Sequence, residues 1–288
     1  MLLSQHPPDA FRTRNIQVEL EGSAVHLSAC GPPFDFTDLL QQRSNPPPQE
    51  GSAFTATHLG VSGFIRLRWQ ELRFLLLVRQ QRADRGDRVL KLPSGYVDLD
   101  LLATPALALE QEISQELLLH SEQELWPIER NGSELQRVYQ AQLSYHPECA
   151  QLATATPFRS REVYWEGEPL TECECYLHRP TGSVQLVYHW DLELPDRPMS
   201  DLSLWQLEER INPRSGLLET LWEEREPLWL AALNDYNLID GGFYQLRDGL
   251  LLPAEGSAEL QLSEYFAPRQ GLWVNAGNQP LREYHPYC

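Results

Sequence analysis

The residues best suited to chemistry lie between positions 91 and 119. Glu112 and Glu116 stand four residues apart, a spacing that on a helix stacks two side chains on one face, a single turn apart. Two carboxylates so placed are enough to hold one hard divalent cation, which takes oxygen ligands and keeps several of its waters. Gln115 lies beside them and offers a neutral carbonyl oxygen. Upstream, Leu92-Pro93-Ser94-Gly95 spells a tight loop leaving a short strand. Taken alone, two glutamates on a helix are ordinary solvated charge, so their meaning depends on this neighbouring loop.

Other residues could do different chemistry. Cys173-Glu174-Cys175-Tyr176-Leu177-His178 forms a C-x-C-x-x-H cluster, and His146-Pro147-Glu148-Cys149 and His285-Pro286-Tyr287-Cys288 share an H-P-x-C spelling. Four Cys/His ligands would make a structural Zn²⁺ site, although the intervening distances follow no recognised pattern. Cys175 beside a histidine is a weaker candidate nucleophile. The tryptophans, Trp190, Trp205, Trp222 and Trp229 among them, read as core, with one or two available to stack on a base. The dinucleotide, Walker, HExxH and G-x-S-x-G spellings do not occur.

These residues need elements to place them. Val61–Leu67 and Leu72–Val78 read as two strands about a turn at Trp69–Glu71, followed by a polar, turn-rich stretch, Gln81–Asp87. Val89–Leu92 is a short strand entering the tight loop. Thr104–Leu118 reads as a helix, with Thr104 as N-cap, Pro105 in the first helical position and an apolar stripe of Ala106, Leu109, Ile113 and Leu117. Residues 120–180 suggest an irregular insertion with hairpin structure around Val163–Trp165 and Glu172–Leu177. Val184–Trp190 is a strand, and Leu204–Leu207 follows it. Gly216–Glu224 has helical spacing, and Pro227 opens a second helix through Leu233. Ile16–Leu20 and Ala24–Leu27 are strand-like, and the Pro-rich Ser44–Ser52 reads as a linker.

Composition narrows the function classes. With 23 Lys+Arg against 41 Asp+Glu the formal net charge is −18, a field that repels a phosphate backbone and argues against nucleic acid as a direct partner. A small polyphosphate would need metal ions or a local arginine cluster. Lys91 is the only lysine. No apolar run nears the ~20 residues that span a bilayer, and the first residues lack a secretory pattern. Five cysteines, an odd number, fit reduced thiols. The expectation is a soluble, cytoplasmic protein with no membrane partner, and a homodimer as the generic assembly.

Residues 60–119 resemble the Nudix family, whose signature is G-x5-E-x7-R-E-U-x-E-E-x-G-U after a strand ending in L-P-G-G. Leu92-Pro93-Ser94-Gly95 resembles that entry, and Thr104–Leu119 falls on the helical half without a gap. Gln111 stands at the signature arginine, Gln115 at the first glutamate of the E-E pair and Leu118 at the terminating glycine. The loop from Gly95 to Thr104 is about two residues longer than the pattern, so Ala103 takes the place of the loop glutamate. Glu112 and Glu116 are kept.

The resemblance implies an α/β fold, a mixed β-sheet sandwiched between α-helices over 56–235 with an insertion near 120–180. It leaves a β-rich N-terminal extension at 1–55 and a β-rich C-terminal extension at 236–288. It also implies a hydrolase that cleaves a diphosphate linkage in a nucleoside diphosphate derivative with Mg²⁺ or Mn²⁺. Glu112 and Glu116 would be its catalytic metal ligands, and Ser94, Gly95 and Gln115 its substrate contacts. The general base would be Glu112, or an acid of the insertion such as Glu166, Glu168 or Glu172. The alternatives are a Nudix-fold protein without turnover that binds a nucleotide or a protein partner, and a zinc-stabilised interaction protein. Restoring the missing charge with Gln115→Glu should tighten Mg²⁺ binding; calorimetry showing unchanged or weaker binding would count against this placement of the signature.

Overall fold

Strands dominate the computed structural model, with two α-helices among the described residues. The structure describes residues 1–8, 10–22, 24–81, 88–130, 144–145, 148–154, 162–178, 181–196, 199–234, 237–254, 261–262 and 273–275. The expected combination of sheet and helix is present, weighted toward strand.

Strand β1 (Leu2–His6) pairs antiparallel with Leu218–Leu221. Strands β2 (Arg12–Glu21) and β3 (Ala24–Asp35) form a hairpin. The first helix, α1 (Phe36–Ser44), starts at Asp35, whose side chain accepts the Asp38 N–H at 3.0 Å, a normal N-cap. Strand β4 (Ala53–Ala56) then pairs with β2. Alternation on β2 and β3 turns Ile16, Val18, Val25 and Leu27 into the same apolar core that the central sheet uses.

The central sheet is built on β5 (Leu59–Trp69) and β6 (Leu72–Gln81), joined by a turn in which Gln70 takes φ 55°. β5 runs parallel to Ser183–Glu193, in register from Leu59↔Val184 to Leu67↔Leu192. Side-chain parity divides the two faces. Val61, Ile65 and Leu67 join the main core, whereas Phe64 belongs to a separate cluster with Leu75, Leu77 and Val187. Near the end of the parallel pair the Arg66 guanidinium, 6 % exposed, grips Asp191 through two hydrogen bonds of 2.6 and 2.7 Å. Strand β7 (Arg88–Lys91) pairs with β6, and β8 (Ser94–Tyr96) with β5.

Helix α2 (Pro105–Glu116) lies against β5 and β8. Thr104 occupies the N-cap position but makes no side-chain capping bond. The buried side of α2 carries Ala108, Leu109 and Ile113. Leu109 lies over Gly63 of β5, where a Cβ would be 3.5 Å from Leu109 Cδ2, an ordinary contact. The helix stops at Glu116, short of the expected Leu118, because Leu117–Ser121 is strand β9. Leu117 and Leu119 enter the main core while Leu118 enters a different cluster with Leu3 and Leu125. Alternate burial on two faces is a strand's pattern, and it overrides the helical stripe.

Two expected helices are strands. Gly216–Glu224 yields the strand Leu218–Leu221 and a 3-10 turn, Trp222–Glu224; β1 and Glu209–Ile211 pair with that strand from either side. Pro227–Leu233 lies almost wholly in strand Trp229–Asn234, paired with β6. Its residues alternate between cores, with Leu228, Leu230 and Ala232 in one and Trp229, Ala231 and Leu233 in the other. An apolar run buried on both faces has no period to distinguish it from a buried helix. Among the described residues no helix is long and apolar enough to cross a membrane.

Ile113 seats α2 on the sheet and is fully buried. Ile113→Ala should cost roughly 2–4 kcal/mol through lost burial and the cavity left behind. Urea unfolding checks this, and a loss below about 1 kcal/mol would show that α2 is not anchored there.

Candidate functional site

Gly95 sits at the middle of β8, paired with Val61, and so faces α2. A Cβ on Gly95 would lie 2.1 Å from Glu112 Oε1 and 2.2 Å from its Cδ. The glutamate carboxylate is therefore laid directly on the glycine backbone, and any larger residue would expel it. Sequence order alone could not show this contact, but the loop and the helix meet as their residue types suggested.

The strand that carries Gly95 is braced from its other side. Tyr96 packs edge-on against Phe11 and Phe36, with centroids at 5.9 and 5.6 Å, and lies 5.2 Å from His58. Arg43 donates to the Tyr96 hydroxyl. Burial first, then the charges of Arg43 and His178, push the His58 imidazole down to about 3 and keep it neutral. From β2 the Arg12 N–H donates to Asp98 Oδ2 at 3.0 Å, and the Thr13 hydroxyl to Val97 O at 3.0 Å.

Glu116 follows Glu112 by one turn. Both are half-buried as whole residues, yet Glu116 Oε2 is shut off from solvent with no hydrogen-bond partner among the described residues. Burial and the like charge of Glu116 push the Glu112 carboxyl up to about 8. Glu116 is raised too, by burial above all. Lys91 works against the rise at both. The remaining charges come from a segment the sequence reading missed: Glu209 bears on both glutamates and Glu208 on Glu116. The Leu207 N–H donates to Glu116 O at 2.8 Å and brings them there. Glu209 also pairs with His6 at 2.8 Å. No sequence signal ties 207–209 to the helix, because that bond joins residues 116 and 207, far apart in the chain.

No family model matches the chain, and no curated protein matches it. The reading therefore rests on the residues themselves.

Ser94 accepts from Lys91 Nζ at both its hydroxyl (2.9 Å) and its carbonyl (3.3 Å). Gln115 is half-buried on α2 between the two glutamates. Among the suggested bases, Glu172 is committed elsewhere: it accepts from Arg130 and from Trp190 Nε1. Glu166 and Glu168 are exposed at the turn and second strand of a hairpin beside β3. None of the three is among the charges acting on Glu112 or Glu116.

The C-x-C-x-x-H residues lie on the strand Cys173–His178. Cys173, Cys175 and Leu177 face the main core, and His178 by parity faces the other way. Burial pushes the Cys173 thiol up to about 12 and raises Cys175 as well, the state of inert core thiols. His146, His285 and Cys288 lie outside the described residues, and among the described ones no three metal-ligating side chains converge. Trp190 and Trp229 are core residues, and Trp205 and Trp222 hold the Arg225 guanidinium at 4.5 and 3.8 Å from their rings.

The raised Glu112 carboxyl has a stability consequence of fixed sign. Folding favours its protonated form, so its contribution is complete below the ordinary carboxylate range and is lost as pH rises through about 8. Glu112→Gln, permanently neutral, should therefore gain on the parent by on the order of 1–3 kcal/mol between about pH 5 and about pH 8. Parallel stability profiles for the two proteins in urea would refute this.

Proposed function

We propose that this chain is a Nudix-type hydrolase that uses a divalent cation to cleave a diphosphate linkage in a nucleoside diphosphate derivative. One observation carries the reading: the Glu112 carboxylate rests on the Gly95 backbone while Glu116 lies one helical turn away. A helix seated on a mixed sheet by its apolar stripe, entered through a proline-glycine loop, supports the scaffold half of the proposal. In the described residues α2 covers one side of that sheet.

The residues present suit a hard cation. Two carboxylates raised by burial and mutual repulsion, with one buried oxygen unpartnered, are a donor set held ready for positive charge. Glu112 and Glu116 would hold Mg²⁺ or Mn²⁺, which when bound neutralises phosphate charge and activates a water molecule. Gly95 leaves the space in which Glu112 lies, Ser94 precedes it in β8, and Gln115 stands between the two glutamates in α2. Once its proton is displaced by a bound cation, Glu112 is also the candidate general base. The acidic surface makes nucleic acid an unfavourable substrate and a small nucleotide bound with its cation the favoured one. Assembly as a homodimer remains the generic expectation for the acting species.

The neutral Gln115, in a place where the signature carries a charge, favours a second reading: a protein that binds a nucleotide or a partner without turnover. Both are tested by one panel, the release of phosphate or nucleotide from nucleoside diphosphate sugars, dinucleotides and nucleoside triphosphates with Mg²⁺ or Mn²⁺. The expected result is turnover on one class that falls about 100-fold or more in Glu116→Gln. Thermal stabilisation by a nucleotide with no turnover would select the second reading. Activity untouched by Glu116→Gln would remove the site from consideration.

A further inference from the structure

Lys91 is the only lysine among 23 basic residues, and the fold puts it at the acidic pair. It ends β7 and pairs with Val78. Cross-strand partners share a face, and Val78 belongs to the main core beneath α2, so the lysine side chain leaves the sheet on the helix side. There its ammonium is fixed by two hydrogen bonds, to Ser94 Oγ at 2.9 Å and Ser94 O at 3.3 Å. The next residue is Gly95, on which the Glu112 carboxylate rests. Position, face and hydrogen bonding thus bring a cation to the start of the loop on which Glu112 rests.

We propose that the Lys91 ammonium is a built-in positive charge of the Glu112–Glu116 site, standing in place of one of two divalent cations, so that the site takes a single ion. The inference rests on the metal-site reading given above. A lysine suits the role better than an arginine, because an ammonium is a compact point charge and a guanidinium a broad planar fork. Charge accounting agrees. Among the proposed groups themselves, two ionised carboxylates and one ammonium leave a single net negative charge, which one divalent ion more than neutralises; Glu208 and Glu209 add negative charge from outside that set. Gln115 fits the same scheme, since a neutral amide contributes no charge to hold a further cation. The direction of the Lys91 influence is consistent, as it opposes the rise of both carboxyls while the surrounding acids promote it.

Mn²⁺ binding followed by water-proton relaxation tests this without any substrate. The full chain would be compared with Lys91→Met, Lys91→Arg and the double variant Glu112→Gln/Glu116→Gln, which subtracts adventitious ions on the acidic surface. The parent should bind one carboxylate-dependent Mn²⁺, and Lys91→Arg should match it by keeping the charge. Lys91→Met should bind a second ion, or the first about tenfold more tightly. If Lys91→Met keeps one site with affinity within about twofold, the inference fails and the metal-site reading stands. If only Lys91→Met binds Mn²⁺, the natural site takes no ion, and the single-ion inference fails together with the metal-dependent reading of the natural chain. If neither binds, both are overturned. Should Lys91→Met fold poorly, Lys91→Gln keeps a polar partner for Ser94 and reads out the same contrast.

Discussion

Two carboxylates on successive turns of one helix, sheltered from water, repel each other, and the rest of the molecule has to hold them there. Unit charges ~6 Å apart repel by roughly 3 kcal/mol at an effective dielectric of about 20. Against this stands the burial of Ala108, Leu109 and Ile113, none more than 3 % exposed, with each large aliphatic side chain worth about 1.5–3 kcal/mol. Packing on the far side of α2 thus outweighs the repulsion on the near side. The pair can also shed charge by holding protons, and Lys91 offsets what remains. The helix is a platform for a disfavoured arrangement, and its amphipathic face is what makes that arrangement tolerable.

The same constraint explains the bracing around the loop. A glutamate lying on Gly95 requires the glycine to stay where it is, and β8 is only three residues long. Its hydrogen bonds to β5 would fix little alone, so side chains from the first fifty residues complete the task. Phe11, Phe36 and Arg43 enclose Tyr96, and β2 holds Val97 and Asp98. Val97 N–H also bonds to Leu59 O at 3.1 Å, back at the head of the central strand. The loop is thereby held by contacts from the first fifty residues.

What the sequence disclosed and what it withheld follow from the range of the interactions. The β5–β6 hairpin, the short strand before the Pro-Gly loop, the helix at Pro105–Glu116 and the strand at Ser183–Glu193 all carry local signals: alternation, turn residues, a proline in the first helical turn. The helix-like reading of Pro227–Leu233 failed because that strand is buried on both faces, which leaves no period to detect. Gly216–Glu224 failed for another reason. Leu218–Leu221 becomes a strand through pairing with Leu2–His6, more than two hundred residues away, and local propensity yields to such pairing. In the site, Glu112, Glu116 and Gly95 were legible because a spacing and a turn encode them. Glu208 and Glu209 were not, since one backbone hydrogen bond from Leu207 to the end of α2 delivers them.

The residue before Gln111 makes a second polar contact of the same helix. Here the neighbouring Glu110, 6 % exposed, receives Arg130 at 3.4 Å, and Arg130 reaches onward to Glu172 while its guanidinium lies 5.2 Å from the Trp190 ring. A charge pairing that steadies α2 thus comes from the strand Ile128–Arg130. One residue along a helix is a rotation of about 100°, so the arginine now pulls on a different face from the one bearing Glu112 and Glu116. A cation inside the motif would compete with any ion for those two carboxylates; a cation behind the helix does not. The Arg130–Glu110 pair anchors α2 from this side and leaves Lys91 as the positive charge that bears on Glu112 and Glu116.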